Sequence, residues 1–181
     1  MKIREVRLED AKALLGIYGY YVENTNVTFE YVIPTEEEFK KRIENTIKRY
    51  PYFVVEENEE IIGYAYVSTF KTRRAYDWSV ETTVYVKNDC HAKGVGTMLY
   101  MALEEALKKQ HICNLCACIA YPNEKSEKFH EKMGYQKVAH FHKSGYKRGE
   151  WTDMIWMEKT LCEHEDFPQE FIPYPDVNRE D

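Results

Sequence analysis

The chain has 181 residues, 44% of them hydrophobic and 31% charged, enough for one globular domain with a real core and too apolar for a disordered chain. Its formal net charge of −6 argues against a general nucleic-acid binder, which carries a basic excess, but leaves room for a local basic pocket. The opening MKIREVRLED has no apolar leader, and no run approaches the ~18 apolar residues of a membrane helix, so a cytoplasmic location is expected.

Ile3 to Leu8 alternates apolar and charged residues, as a half-buried strand does. After Asp10, the apolar positions Ala11, Leu14, Leu15, Ile17, Tyr18, Tyr21 and Val22 have helical spacing. Thr35 followed by Glu38 is a capping box, opening a helix expected to run through Phe39, Ile43 and Ile47 to about Arg49. Tyr52 to Glu57 and Ile61 to Phe70 read as a hairpin, and Trp78 to Val86 as a strand rich in β-branched and aromatic residues. From Gly94 the pattern turns helical, with Val95, Met98, Leu99, Ala102, Leu103, Ala106 and Leu107 on one face.

Leu115 to Ala120 reads as a buried strand, and Asn123 to Met133 as a short helix stopped by Gly134. YQKVAHFHK and EWTDMIWMEKTL supply two last strands. The order β-α-α-β-β-β-α-β-α-β-β predicts an α/β fold, a mixed sheet with helices on its faces. The acidic, proline-containing residues 162–181 are an extension, docked or disordered. Cys113, Cys116 and Cys118 lack a second ligand pair at zinc spacing, His111 being the nearby candidate, so reduced thiols and no metal are expected.

DCHAKGVGT, from Asp89 to Thr97, joins a strand to a helix with two glycines one residue apart. A Rossmann fingerprint would need a third glycine at Leu99, and a P-loop a Gly-Lys-Ser/Thr run, so neither fits. What remains is a loop of backbone amides feeding a helix N-terminus. That suits a pyrophosphate, with Gly94 and Gly96 leaving room for its oxygens. A tight strand-to-helix turn accounts for the glycines equally well.

HAKGVG resembles the pyrophosphate loop of the GNAT superfamily of acetyl-CoA-dependent N-acetyltransferases, written Gln/Arg-x-x-Gly-x-Gly/Ala. Gly94 and Gly96 match, and His91 departs from the pattern. NEKSEKFHEKMGY is similar to the superfamily's Asn-x-x-Ala-x-x-x-Tyr-x-x-x-Gly-Phe segment. Asn123 and Gly134 match, while Ser126, His130 and Tyr135 replace the alanine, the tyrosine and the final aromatic. The run from Arg49 to Val86 resembles the phosphinothricin acetyltransferase family, whose members carry a histidine where His130 stands. The likeness covers about residues 2–161.

The resemblance implies a GNAT-type, strongly twisted central sheet flanked by helices on both faces, in a domain of residues 1–161. It also implies acetyl-CoA as co-substrate, no metal, a homodimer, and a small amino-acid-like acceptor such as phosphinothricin or methionine sulfoximine.

Acetyl transfer to an amine requires a base, stabilisation of the thioester oxyanion, and a proton for the leaving thiolate. Alternation sets Val80, Thr82, Val84 and Val86 on one strand face and Glu81, Thr83 and Tyr85 on the other. On the residues alone Glu81 is either salt-bridged or functional; the resemblance implies that it is the general base. His130 lies on an inward stripe with Ser126, Phe129 and Met133, where a satisfied core histidine is the ordinary reading; the resemblance implies a proton donor or water-ordering group.

By the same resemblance, backbone groups of Val84, Tyr85 and Val86 line the acetyl-pantetheine arm. His91, Ala92, Lys93, Gly94, Val95, Gly96 and Thr97 hold the pyrophosphate, and Asn123 and Ser126 bind near the pantetheine, Asn123 serving also as a helix N-cap. Arg73 and Tyr76 match acceptor-pocket positions, with Arg73 a carboxylate clamp and Phe29 an apolar wall. Rival readings are a non-catalytic acyl-CoA sensor and an acetyltransferase for protein N-termini or polyamines.

Overall fold

The computed structural model describes residues 1–90 and 93–177. Seven strands form one sheet: β1 (Lys2–Glu5), β2 (Tyr52–Glu57), β3 (Glu60–Thr69), β4 (Ser79–Val86), β5 (Asn114–Tyr121), β6 (Gln136–Lys147) and β7 (Glu150–Thr160). Their spatial order is β1-β2-β3-β4-β5-β7-β6. Every neighbouring pair is antiparallel except β4 and β5, which run parallel. Among the described residues four α-helices accompany them: α1 (Ala11–Asn24), α2 (Glu36–Ile47), α3 (Val95–Lys109) and α4 (Glu124–Lys132). The expected mixed α/β order is the observed one.

Helices cover both faces because the sheet buries apolar side chains on both. On one face Leu99, Leu103 and Leu107 of α3 pack on Val55, Val67, Val80 and Leu115, with Phe129 of α4 alongside. On the other, Leu14 and Ile17 of α1 and Phe39 and Ile43 of α2 cover Tyr52, Val54 and Tyr64. β4 divides as its alternation requires: Val80 enters the first cluster, and Tyr85 packs against the second.

The Thr35–Glu38 capping box is present, with Glu38 N–H donating to Thr35 Oγ1 (3.2 Å) and Thr35 N–H to Glu38 Oε2 (2.7 Å). Such a cap is worth about 1 kcal/mol. α2 ends at Ile47, short of the expected Arg49, because the N–H groups of Arg49 and Tyr50 both turn back to the carbonyl of Thr46. β6 runs beyond the expected Lys143 to Lys147. Register shifts between Lys137 and Ala139 and between Phe141 and Gly145 interrupt its alternation and hide its length from a periodicity search.

The described segment after β7, to residue 177, is docked. Buried Gln110 donates through Nε2 to the carbonyls of Arg49 and Ile172, both at 2.8 Å, tying helix end, loop and C-terminal segment together. The Phe171 ring lies under the Arg49 guanidinium at 4.2 Å, and Tyr174 donates to Glu5 (2.7 Å). No described helix is long and apolar enough to cross a membrane.

Candidate active site

β4 and β5 are paired over three positions only: Ser79 with Asn114, Val80 with Leu115, and Glu81 with Cys116. Beyond them β4 stays bonded to β3 as far as Val86, while β5 follows β7 as far as Tyr121. The two edges therefore part, and a cleft of about 210 Å³ opens between them, lined by Glu81 to Tyr85 on one strand and Ala117 to Ala120 on the other. Larger depressions exist, one of about 420 Å³ beside Trp78 and Phe171, but this cleft gathers Glu81, Asn123, Ser126 and His130.

Glu81 sits at the last paired position, where the edges begin to part. Burial raises its pKa above the ordinary carboxylate range, and the Lys71 charge opposes that rise. Cys118 also lines the cleft, but burial pushes its thiol up to about 12, with Glu81 adding to the effect. It is a protonated thiol at neutral pH and a poor nucleophile.

His130 is 4% exposed, inward as its stripe predicts. Its Nδ1 lies 2.8 Å from the Ser126 carbonyl, which can only accept, so Nδ1 carries the proton. Burial lowers the pKa of the ring and favours this neutral form, in which Nε2 accepts. Its partner there is the Tyr100 hydroxyl, at 2.9 Å. The Tyr100 hydroxyl can turn the same proton to Thr82 Oγ1 at 3.2 Å, since Thr82 donates its own to the Cys116 carbonyl (3.2 Å). Tyr100 lines the cleft as well and is the residue missed from sequence. Its signal was available: it falls between Gly96 and Leu103 on the buried stripe of α3, a hydroxyl among apolar neighbours.

Gly94 caps α3 in the left-handed region (φ 86°), with open space where a Cβ would project. Gly96 carries a packing constraint of its own: a Cβ there would meet the Phe129 ring at 3.1 and 3.2 Å, so glycine at this position admits α4. Val95 is buried in the core, Thr97 is half-buried and Lys93 is exposed. His91 and Ala92 lie outside the described residues. Asn123 caps α4, its side chain accepting from Ser126 N–H at 3.2 Å. The Val86 carbonyl accepts from the Tyr21 hydroxyl at 2.5 Å.

Phe29 joins the cleft wall, wedged against Gly145 so closely that a Cβ there would lie 2.5 Å from its ring. Arg73 and Tyr76 do not line the cleft itself. They belong to the β3–β4 connection, where the Tyr76 ring lies 6.0 Å from Phe70, which in turn sets its edge 5.7 Å from Trp156. Arg73 is exposed, and its neighbour Arg74 pairs with Glu170 (2.8 Å).

The acetyltransferase (GNAT) domain family matches residues 3–156. The chain belongs to that family. Within this GNAT family it is similar to the phosphinothricin N-acetyltransferase of Streptomyces viridochromogenes, at 34% identity over 159 residues covering 88% of this chain and 87% of the relative. The L-methionine sulfoximine/L-methionine sulfone acetyltransferase of Pseudomonas aeruginosa is 28% identical, covering 88% of this chain and 94% of the relative. Among solved structures, a GNAT superfamily phosphinothricin acetyltransferase from Sinorhizobium meliloti, in complex with acetyl-CoA, superimposes with a TM-score of 0.89 at 30% identity. That match covers 97% of this chain and 96% of the other. The chain is thus a phosphinothricin acetyltransferase-like GNAT protein, with the sheet and helix arrangement of its fold neighbours.

Proposed function

We propose that the chain acetylates the α-amine of a small amino-acid-like acceptor, with acetyl-CoA as donor. The observation that carries the reading is the cleft between β4 and β5, with a partly buried carboxylate where the strands part and a buried histidine–tyrosine pair in its wall. The cleft suits an extended acyl-pantetheine arm, because two diverging strand edges present main-chain N–H and C=O groups in the manner of a missing strand. The α3 N-terminus suits a pyrophosphate, since its first N–H groups have no intrahelical partner and Gly94 leaves the approach open.

When bound, acetyl-CoA supplies an acetyl group activated as a thioester. Glu81 accepts the proton of the acceptor amine, directly or through a water. The backbone N–H groups of Val84 and Val86, which alternation turns away from β3, stabilise oxyanion charge. Because His130 Nδ1 is held by Ser126, the proton of the buried pair that can turn toward the cleft is the one on the Tyr100 hydroxyl. Burial holds that proton on the oxygen more tightly than a thiolate could, so the hydroxyl serves the departing thiolate as a hydrogen-bond donor, with His130 positioning it. The protonated state of Cys118 favours direct attack by the amine over an acyl-cysteine route. Arg73, Tyr76 and Phe29 serve the acceptor, and the names of the relatives favour phosphinothricin, methionine sulfoximine or a related amino acid.

The test is thiol release from acetyl-CoA by the purified chain over a panel of amino acids, their phosphinic and sulfoximine analogues, polyamines and N-terminal peptides. Turnover with an amino-acid analogue and not with polyamines or peptides supports the proposal. Tight acetyl-CoA binding without turnover on any acceptor would make the chain a sensor instead.

A further inference from the structure

A second group of reactive side chains lies on the β6–β7 ribbon, outside the cleft lining. His140 Nε2 and His142 Nδ1 point at one and the same atom, Asp153 Oδ2, at 2.8 and 3.0 Å. The three ligand-type atoms all lie within 4.8 Å of one another. The bulge between Phe141 and Gly145 builds this arrangement. It sets residues 142–144 opposite Asp153, and Lys143, at φ 50°, turns its N–H onto Asp153 Oδ1 at 2.8 Å. One carboxylate oxygen is thereby clamped and the other is offered to both imidazoles. The rings themselves are 4.4 Å apart, and His140 rests against Tyr121, centroid to centroid 4.7 Å.

We propose that His140, His142 and Asp153 bind one divalent transition-metal ion of zinc-like preference. Two imidazole nitrogens and one carboxylate oxygen are the donor set of that class, whereas magnesium and calcium call for more oxygen ligands. Tetrahedral zinc at about 2.0–2.1 Å from each ligand requires ligand separations of about 3.3 Å, a few tenths more than the two nitrogen–oxygen distances present. The ion takes the place of the two N–H···O protons. A charged ring releases that proton to water and a neutral ring exchanges tautomer through water, so each coordinates with its remaining proton on the other nitrogen. The exposed side of His142 leaves room for water as a further ligand.

The site has a structural consequence. Beyond the bulge the ribbon carries Gly145, on which Phe29 rests, and Lys147, whose Nζ donates to the carbonyls of Thr25 (2.9 Å) and Thr28 (2.7 Å). An ion at the bulge fastens the ribbon that supports one wall of the cleft. Acetyl transfer does not depend on it.

The experiment is calorimetric titration of the chelator-stripped full chain with zinc chloride, repeated with magnesium chloride and with the variants His142→Ala and Asp153→Asn. His142 is 77% exposed on its side chain, so its removal leaves the core untouched. Expected are one equivalent of zinc, at least tenfold weaker binding in each variant, no saturable binding of magnesium, and a zinc-induced rise in Tm confined to the parent chain. No saturable zinc binding would overturn the proposal. So would equal affinity in parent and variants, which would place the ion on other donors, or magnesium binding as tight as zinc.

Discussion

The hydroxyl of Tyr100 lies 2.9 Å from Nε2 of His130, and both groups are buried in the wall of the cleft. With Nδ1 committed to the Ser126 carbonyl, the histidine has no further nitrogen with which to face a reacting atom. We propose that the group of this pair that meets the leaving thiolate is the tyrosine hydroxyl.

Tyr100→Phe separates a chemical from a merely structural role. It leaves the buried Nε2 acceptor without its donor, which costs about 1–3 kcal/mol in a urea titration. If the hydroxyl serves the leaving thiolate, kcat also falls by about 10-fold or more, while KM for acetyl-CoA changes little. Loss of stability with unchanged kcat would return Tyr100 to the core.

Glu81→Gln keeps the shape of the side chain and removes its basicity. Turnover with the best acceptor is expected to drop at least ~10²-fold, with the fold intact by circular dichroism. Near-parental turnover would sink the assignment of Glu81 as base.

The pH profile follows from the same carboxylate. If Glu81 is the base it must be ionised to accept a proton, and burial raises its pKa, so the acid limb of kcat/KM is expected above the ordinary glutamate range. Lys71 lowers that pKa through its charge. Lys71→Met therefore moves the acid limb to higher pH. A limb that stays still or moves down would show that some other group titrates.

Gly145→Ala places a methyl 2.5 Å from the Phe29 ring, too close for either side to remain. Overpacking of this kind costs typically about 1–3 kcal/mol. Combining it with Phe29→Leu is expected to recover part of that loss, a coupling a double-mutant cycle of Tm or urea midpoints measures directly. Additive losses would mean that the ribbon and the wall move independently.

Much of this arrangement was legible in the sequence because it is local. Thr35 and Glu38 announce α2, the stripe from Val95 to Leu107 announces α3, and alternation sets Glu81 opposite Val80. What escaped depends on distant partners. Nothing in the β4 or β5 sequence states that their pairing stops at Glu81 and Cys116. That Gly96 also makes room for the Phe129 ring cannot be seen in the loop sequence. His140, His142 and Asp153 sit on two strands and meet only because a bulge breaks the alternation that would otherwise order β6. Arg73 and Tyr76 came from likeness to relatives, and the structure sets them on the β3–β4 connection.

The three-position pairing of β4 and β5 has one more consequence. It leaves two half-sheets, β1-β2-β3-β4 and β5-β7-β6, joined at a single short seam, so the main chain on either side of the wedge forms an unfinished ladder. A pantetheine arm lying in it would act as a surrogate strand, and the hydrogen bonds that recognise the ligand would be those that complete the fold. Occupancy would then be readable without any chemistry, as slowed amide exchange at Val84, Val86, Cys118 and Ala120, whose N–H groups alternation turns toward the cleft.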